Sequence, residues 1–183
     1  VAIIPSGVVG ILFDDWMEEH LHTPLVIALA LIVYGVLFIV IEIINKNRKE
    51  ITSSVNDISY KTALYIGLFQ ILSLVPGTSR SGATIMGALL LAVDRVSAAE
   101  FTFFMAVPTM FGASLIKLLK FGFSFSKTEI LILAEGTIVA FITSLFVIKF
   151  LMSYIKKKDF TVFGIYRITL GVLIIIFLLL KII

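Results

Sequence analysis

Pro76-Gly77-Thr78-Ser79-Arg80-Ser81-Gly82-Ala83-Thr84 sets one arginine among four hydroxyl side chains, inside otherwise apolar sequence. A charge in hydrocarbon costs several kcal/mol, so an arginine there marks a functional site by default. Its planar guanidinium matches phosphate oxygens two at a time. Hydroxyls of Ser79 and Ser81 can donate to the remaining oxygens or cap a following helix. Proline and glycine interrupt regular helix, and Gly77 and Gly82 allow backbone to come close to a ligand. N–H groups at the start of the next helix add positive potential. The chemistry these residues fit is the cradling of a phosphate group within a membrane.

Each residue also has a purely structural reading. Arg80 could pair with a carboxylate in a helix bundle. Thr84 could bond phosphate or its own i−4 carbonyl. A nucleophilic role for Ser79 lacks an adjacent base in the sequence. Gln70, ten positions before Arg80, could contact ligand or pack across the bundle. Glu135 lies in an apolar segment and could pair with Lys149 or Arg167, while Glu42, one turn from a basic loop, reads as interfacial. His20 and His22, two apart, share no helix face and are poor metal ligands. With no cysteine in the chain, thiolate metal sites and disulfides are excluded.

The elements that must hold the cradle are membrane helices. The 183 residues are 60% hydrophobic and 15% charged, with mean hydropathy +1.12. Soluble domains are about 45–50% apolar and about 25% charged. The net charge of +3 sits in short basic loops, which reads as membrane orientation, not nucleic-acid binding. Residues 24–44, 101–119, 130–154 and 160–183 read as spanning helices, the second interrupted by Pro108. Residues 2–13 read as the end of another membrane helix. The opening Val1-Ala2-Ile3-Ile4-Pro5 has no basic n-region and reads as mid-element, not as a signal peptide.

Residues 59–93 differ. Two short apolar stretches, 63–75 and 83–93, flank the arginine segment, each too short to span. A re-entrant helix pair with its tip in mid-membrane is expected. That topology puts the basic residues 46–49 and 156–158 on one face, cytoplasmic by the positive-inside rule. Ala2-Ile3-Ile4-Pro5-Ser6 echoes Met105-Ala106-Val107-Pro108-Thr109, as an inverted repeat would. The expected organisation is a single membrane domain over 1–183. Within it, 1–45 ends a first repeat and adds a spanning helix, 59–93 forms the re-entrant pair, and 99–183 gives three spanning helices.

From Gly67-Leu68-Phe69-Gln70 through Thr84, the chain resembles the bacitracin-resistance family of undecaprenyl-pyrophosphate phosphatases. Their signature is Pro-Gly-x-Ser-Arg-Ser followed by a nearby threonine. Gly10-Ile11-Leu12-Phe13-Asp14-Asp15, Phe103-Phe104-Met105-Ala106-Val107-Pro108 and Tyr166-Arg167-Ile168 look similar as well. The likeness covers essentially the whole chain. It implies an all-α polytopic integral membrane protein, an inverted-repeat bundle with a re-entrant helix pair. It also implies hydrolysis of a polyprenyl diphosphate to the monophosphate, recycling the cell-wall lipid carrier.

By that resemblance Arg80 and Ser79 are catalytic, and Gly77, Thr78, Ser79, Arg80, Ser81, Thr84 and Gln70 bind substrate. Thr78 falls at the motif's variable position, and Tyr166 and Arg167 fit an aromatic belt equally well. The family's Glu-x-x-x-Glu helix and Ser-Ser/Thr-Gly-His segment are absent from this sequence, so it resembles the C-terminal two-thirds of a member. Ligands for a divalent cation, Mg2+ or Ca2+, are accordingly expected outside it. The implied setting is the bacterial inner membrane, with the site facing outward, a lipid substrate and a possible homodimer. A transporter or flippase of an anionic prenyl lipid stays open, since midplane anion sites serve transport too.

Overall fold

The computed structural model describes residues 1–46, 48, 50–122 and 125–181. Among them the chain is all-α, with helices α1 (Ile4–Leu21), α2 (Pro24–Asn45), α3 (Tyr60–Ile71), α4 (Arg80–Leu90), α5 (Arg95–Phe121), α6 (Lys127–Ile155) and α7 (Thr161–Leu179). Helices α2, α5, α6 and α7 are long and apolar enough to cross a membrane. The protein is therefore an all-α, multi-pass membrane protein.

Helix boundaries follow their caps. Thr23 accepts from Val26 N ahead of Pro24, and the Asp94 carboxylate accepts from Val96 N and Ser97 N. Ser126 and Glu129 form a reciprocal capping box, which starts α6 three residues before the apolar run. Two expectations need correction. Helix α1 does not stop at Phe13, because neither glycine nor proline intervenes before Pro24. Helix α5 runs through Pro108 without a break, while the Thr109 hydroxyl donates to Met105 O at 2.8 Å. Of the basic loop 46–49, Asn47 and Lys49 fall outside the described residues, as do positions 182–183 of the last expected helix.

The most extensive helix–helix contact joins α2 to α7. A Cβ on Gly164 would lie 2.7 Å from Gly35 O, and one on Gly171 would lie 2.7 Å from Ala28 O. Gly164 and Gly171 are seven apart, as are Ala28 and Gly35, in opposite chain order. The helices are thus antiparallel along a seam of small residues, the usual device for bringing helices together in lipid.

Helices α3 and α4 span only about 18 and 16 Å at 1.5 Å per residue. They pack with Gly87 against the Phe69 ring. Their flanks meet: Thr52 and Val93 form a parallel β-bridge, and Asp94 N donates to Thr52 O at 2.9 Å. The segment from Thr52 to Val93 therefore leaves and returns at one end of the molecule. Its tip reaches far up α2, where a Cβ on Gly77 would lie 2.6 Å from Ile27 O.

The end where it returns is fastened by Glu42, which is buried among its neighbours. Arg95 Nη2 donates to Glu42 Oε2 at 2.7 Å, Arg95 Nε donates to the same oxygen at 3.0 Å, and Phe160 N donates to Oε1 at 3.1 Å. One carboxylate thus ties α2 to the starts of α5 and α7. The pairing and the backbone bond offset the cost of burying its charge.

Candidate functional site

The Pro-Gly segment closes a type II turn. Thr78 N donates to Val75 O at 3.1 Å, Pro76 takes the first central position, and Gly77 takes the second with φ +90°. Ser79 then caps α4, its Oγ accepting from Gly82 N at 3.1 Å and sharing a 3.1 Å hydrogen bond with Ser81 Oγ. Arg80 is the first residue of the helix. The turn thus delivers the arginine, two hydroxyls and a helix N-terminus to one place.

Those groups are short of partners. Among the described residues no carboxylate pairs with Arg80, and its Nη1 is buried without a hydrogen bond. Thr78 is 3% exposed and its hydroxyl is likewise unpartnered. Buried donors are nearly always satisfied, so orphans gathered at one helix start fit a ligand with acceptor oxygens. Ser79 has neither a histidine nor a carboxylate bonded to it among the described residues, and its oxygen already serves the cap. Nothing in the geometry activates it as a nucleophile.

Sequence reasoning left one neighbour unassigned. Arg167, from α7, places Nη2 3.3 Å from where a Cβ on Gly82 would stand. Its guanidinium carbon lies 5.6 Å from the centre of the buried Phe38 ring on α2, and its Nη1 is buried without a partner. The signal was available, since this arginine also interrupts an apolar segment. Tyr166 beside it is exposed and does not join the cluster.

Two predicted site residues are otherwise engaged. The Thr84 hydroxyl is fully buried, within 3.1 Å of Arg80 O and Ser81 O and 3.0 Å of Thr102 Oγ1. It back-bonds its own helix and ties α4 to α5. Gln70 is 1% exposed and donates to Ser6 Oγ of α1, leaving its Oε1 unpartnered. Among the described residues no hydrogen bond links Gln70 to the arginine turn.

Glu135 is exposed on α6 and pairs with neither Lys149 nor Arg167. His20 and His22 are occupied by backbone carbonyls of their own helix, Trp16 O at 3.0 Å and Met17 O at 3.2 Å. The described residues hold no group of three histidines or carboxylates able to bind a metal ion. A cluster of guanidinium groups and hydroxyls does not fit a divalent cation as a ligand set; it fits an anion.

Comparison with known proteins places this arrangement. The family model for the bacitracin resistance protein BacA matches residues 1–173. The chain belongs to the BacA family. Among its BacA relatives, a protein of Enterococcus faecalis named undecaprenyl-diphosphatase is 68% identical over 176 residues, 96% of this chain and 64% of the relative. Proteins of the same name are 56% identical in Limosilactobacillus fermentum and 52% identical in Acetivibrio thermocellus. The chain spans just under two thirds of the length of these relatives, from 64% to 65%.

Proposed function

We propose that this chain carries the phosphate-gripping part of an undecaprenyl-diphosphatase. The reaction is hydrolysis of a polyprenyl diphosphate to the monophosphate and inorganic phosphate, which returns the cell-wall lipid carrier to use. The observation that supports this most directly is Arg80, held at a helix start with a buried Nη1 that no residue satisfies. In that role Arg80 binds the diphosphate oxygens and stabilises charge that builds up on the phosphoryl group in flight. Ser79, Ser81 and Thr78 orient the same oxygens by hydrogen bonds. Apolar helix surfaces beside the turn suit a prenyl chain.

The same proposal places the protein in the bacterial inner membrane with α3 and α4 as a re-entrant pair. Its basic end faces the cytoplasm and the tip of the pair opens outward. We assign the ligands of the expected Mg2+ or Ca2+ to parts of the protein outside residues 1–183, and no step is derived through the ion. A homodimer belongs to this reading, and light scattering of the detergent complex tests it.

The deciding experiment is phosphate release from farnesyl or undecaprenyl diphosphate by the complete protein in detergent, with and without EDTA. Arg80→Ala is expected to lower turnover by at least about a hundredfold, the scale of losing one preorganised donor to a developing oxyanion. Loss of activity with EDTA supports the cation. Tight binding without phosphate release overturns the hydrolase and favours the transporter.

A further inference from the structure

We propose that Arg167 is a second anion-binding residue of this site, and that Arg80 and Arg167 together select a diphosphate over a monophosphate. The inference rests on the function proposed above and adds a residue and a specificity to it. Arg167 arrives from α7, more than eighty positions after the motif. Yet its Nη2 lies against Gly82, in the first turn of the helix that Arg80 begins. Both guanidinium groups have a buried Nη1 with no hydrogen-bond partner, and neither has a carboxylate among the described residues. The flanking Thr78 hydroxyl, 3% exposed, is a third orphan.

Each guanidinium group is partly buried, and neither has a counter-charge among the described residues. In a low-dielectric setting that is costly unless an anion sits with them. A diphosphate offers more negative charge and more oxygens than a monophosphate, enough to engage two guanidinium forks at once. The face of Phe38 steadies Arg167 without spending any of its five N–H donors. Gly82 leaves the room, since a Cβ there would meet the Phe38 ring at 3.0 Å and Arg167 Nη2 at 3.3 Å. Arg167 is thus held, without a counter-charge among the described residues, against the first turn of α4, where a second phosphate group would lie.

The test compares affinities of the complete detergent-purified protein for farnesyl diphosphate and farnesyl monophosphate. It uses the native protein, Arg167→Gln and Arg167→Lys, each with its thermal midpoint. Removing a charge-assisted pair is expected to weaken the diphosphate complex about ten- to hundredfold. The monophosphate complex should change much less, so the ratio between them collapses. Arg167→Lys keeps a charge but loses the fork, and is expected to fall between.

If Arg167→Gln does not fold, the lysine variant decides alone: a reduced diphosphate preference supports the proposal, and an unchanged one overturns it. A lower midpoint with an unchanged ratio makes Arg167 structural and also overturns it. Failure of the underlying reading looks different, since the native protein would then neither bind nor hydrolyse farnesyl diphosphate.

Discussion

Gly77 shows how narrow the tolerance is at the scale of one residue. Its φ of +90° belongs to the left-handed region, and Ile27 O would stand 2.6 Å from any Cβ added there. Left-handed backbone alone costs an ordinary residue about 1–2 kcal/mol, and the oxygen is backbone that cannot swing aside. Gly77→Ala is expected to cost about 2 kcal/mol or more, lowering the thermal midpoint, and to reduce phosphate release by moving Arg80. An unchanged midpoint would show that the turn can relax.

The turn was readable from the sequence because its causes are local: proline, glycine, a capping serine and a charge within six positions. The place of Arg167 beside Gly82 was not, because it depends on α7 packing along α2, more than a hundred positions earlier in the chain. Thr84 shows the reverse limit. A motif threonine turned out to be spent on its own helix and on Thr102, a partner eighteen positions away.

Among the elements, the α2–α7 seam sets where Arg167 stands. Arg167 lies between Gly164 and Gly171, both backed onto the α2 main chain. Gly164→Val would press a branched side chain against Gly35 O. Overpacking of this kind costs about 1–3 kcal/mol, read as a drop in midpoint in detergent. The same variant should weaken inorganic pyrophosphate protection of the protein against heat, since Arg167 moves with its helix. Intact protection would mean that the seam and the site are independent. The spanning helices could be anticipated from length and apolarity, but this seam could not. Small residues recur through the chain, and only tertiary contact shows which of them meet.

At the scale of the molecule, one end is basic. Lys46, Arg48, Lys61, Arg95 and Lys156 to Lys158 gather where Glu42 joins three helices and where α3 and α4 leave and return. Lys117, Lys120, Lys127 and Lys181 stand at the ends of α5, α6 and α7 away from it. The excess predicts the Glu42 end inside. The chain lacks cysteine, so in a full-length background equally free of it, single cysteines at Ser126 and Lys157 give a clear reading. An impermeant thiol reagent added to whole cells should label the first and spare the second. The opposite pattern would invert the molecule and turn the tip of the pair inward.

A chain made from its N-terminus delivers α2 and the arginine turn to the membrane more than eighty residues before α7. Until α7 arrives, the small-residue stripe of α2 has no neighbour and Arg80 stands without its companion. The order of synthesis therefore sets the order of competence. A nascent protein halted short of α7 already displays the arginine turn, yet on the proposal above has only one of the two arginines that would hold a diphosphate. On that proposal, docking of α7 along α2 and acquisition of the second anion contact become one event.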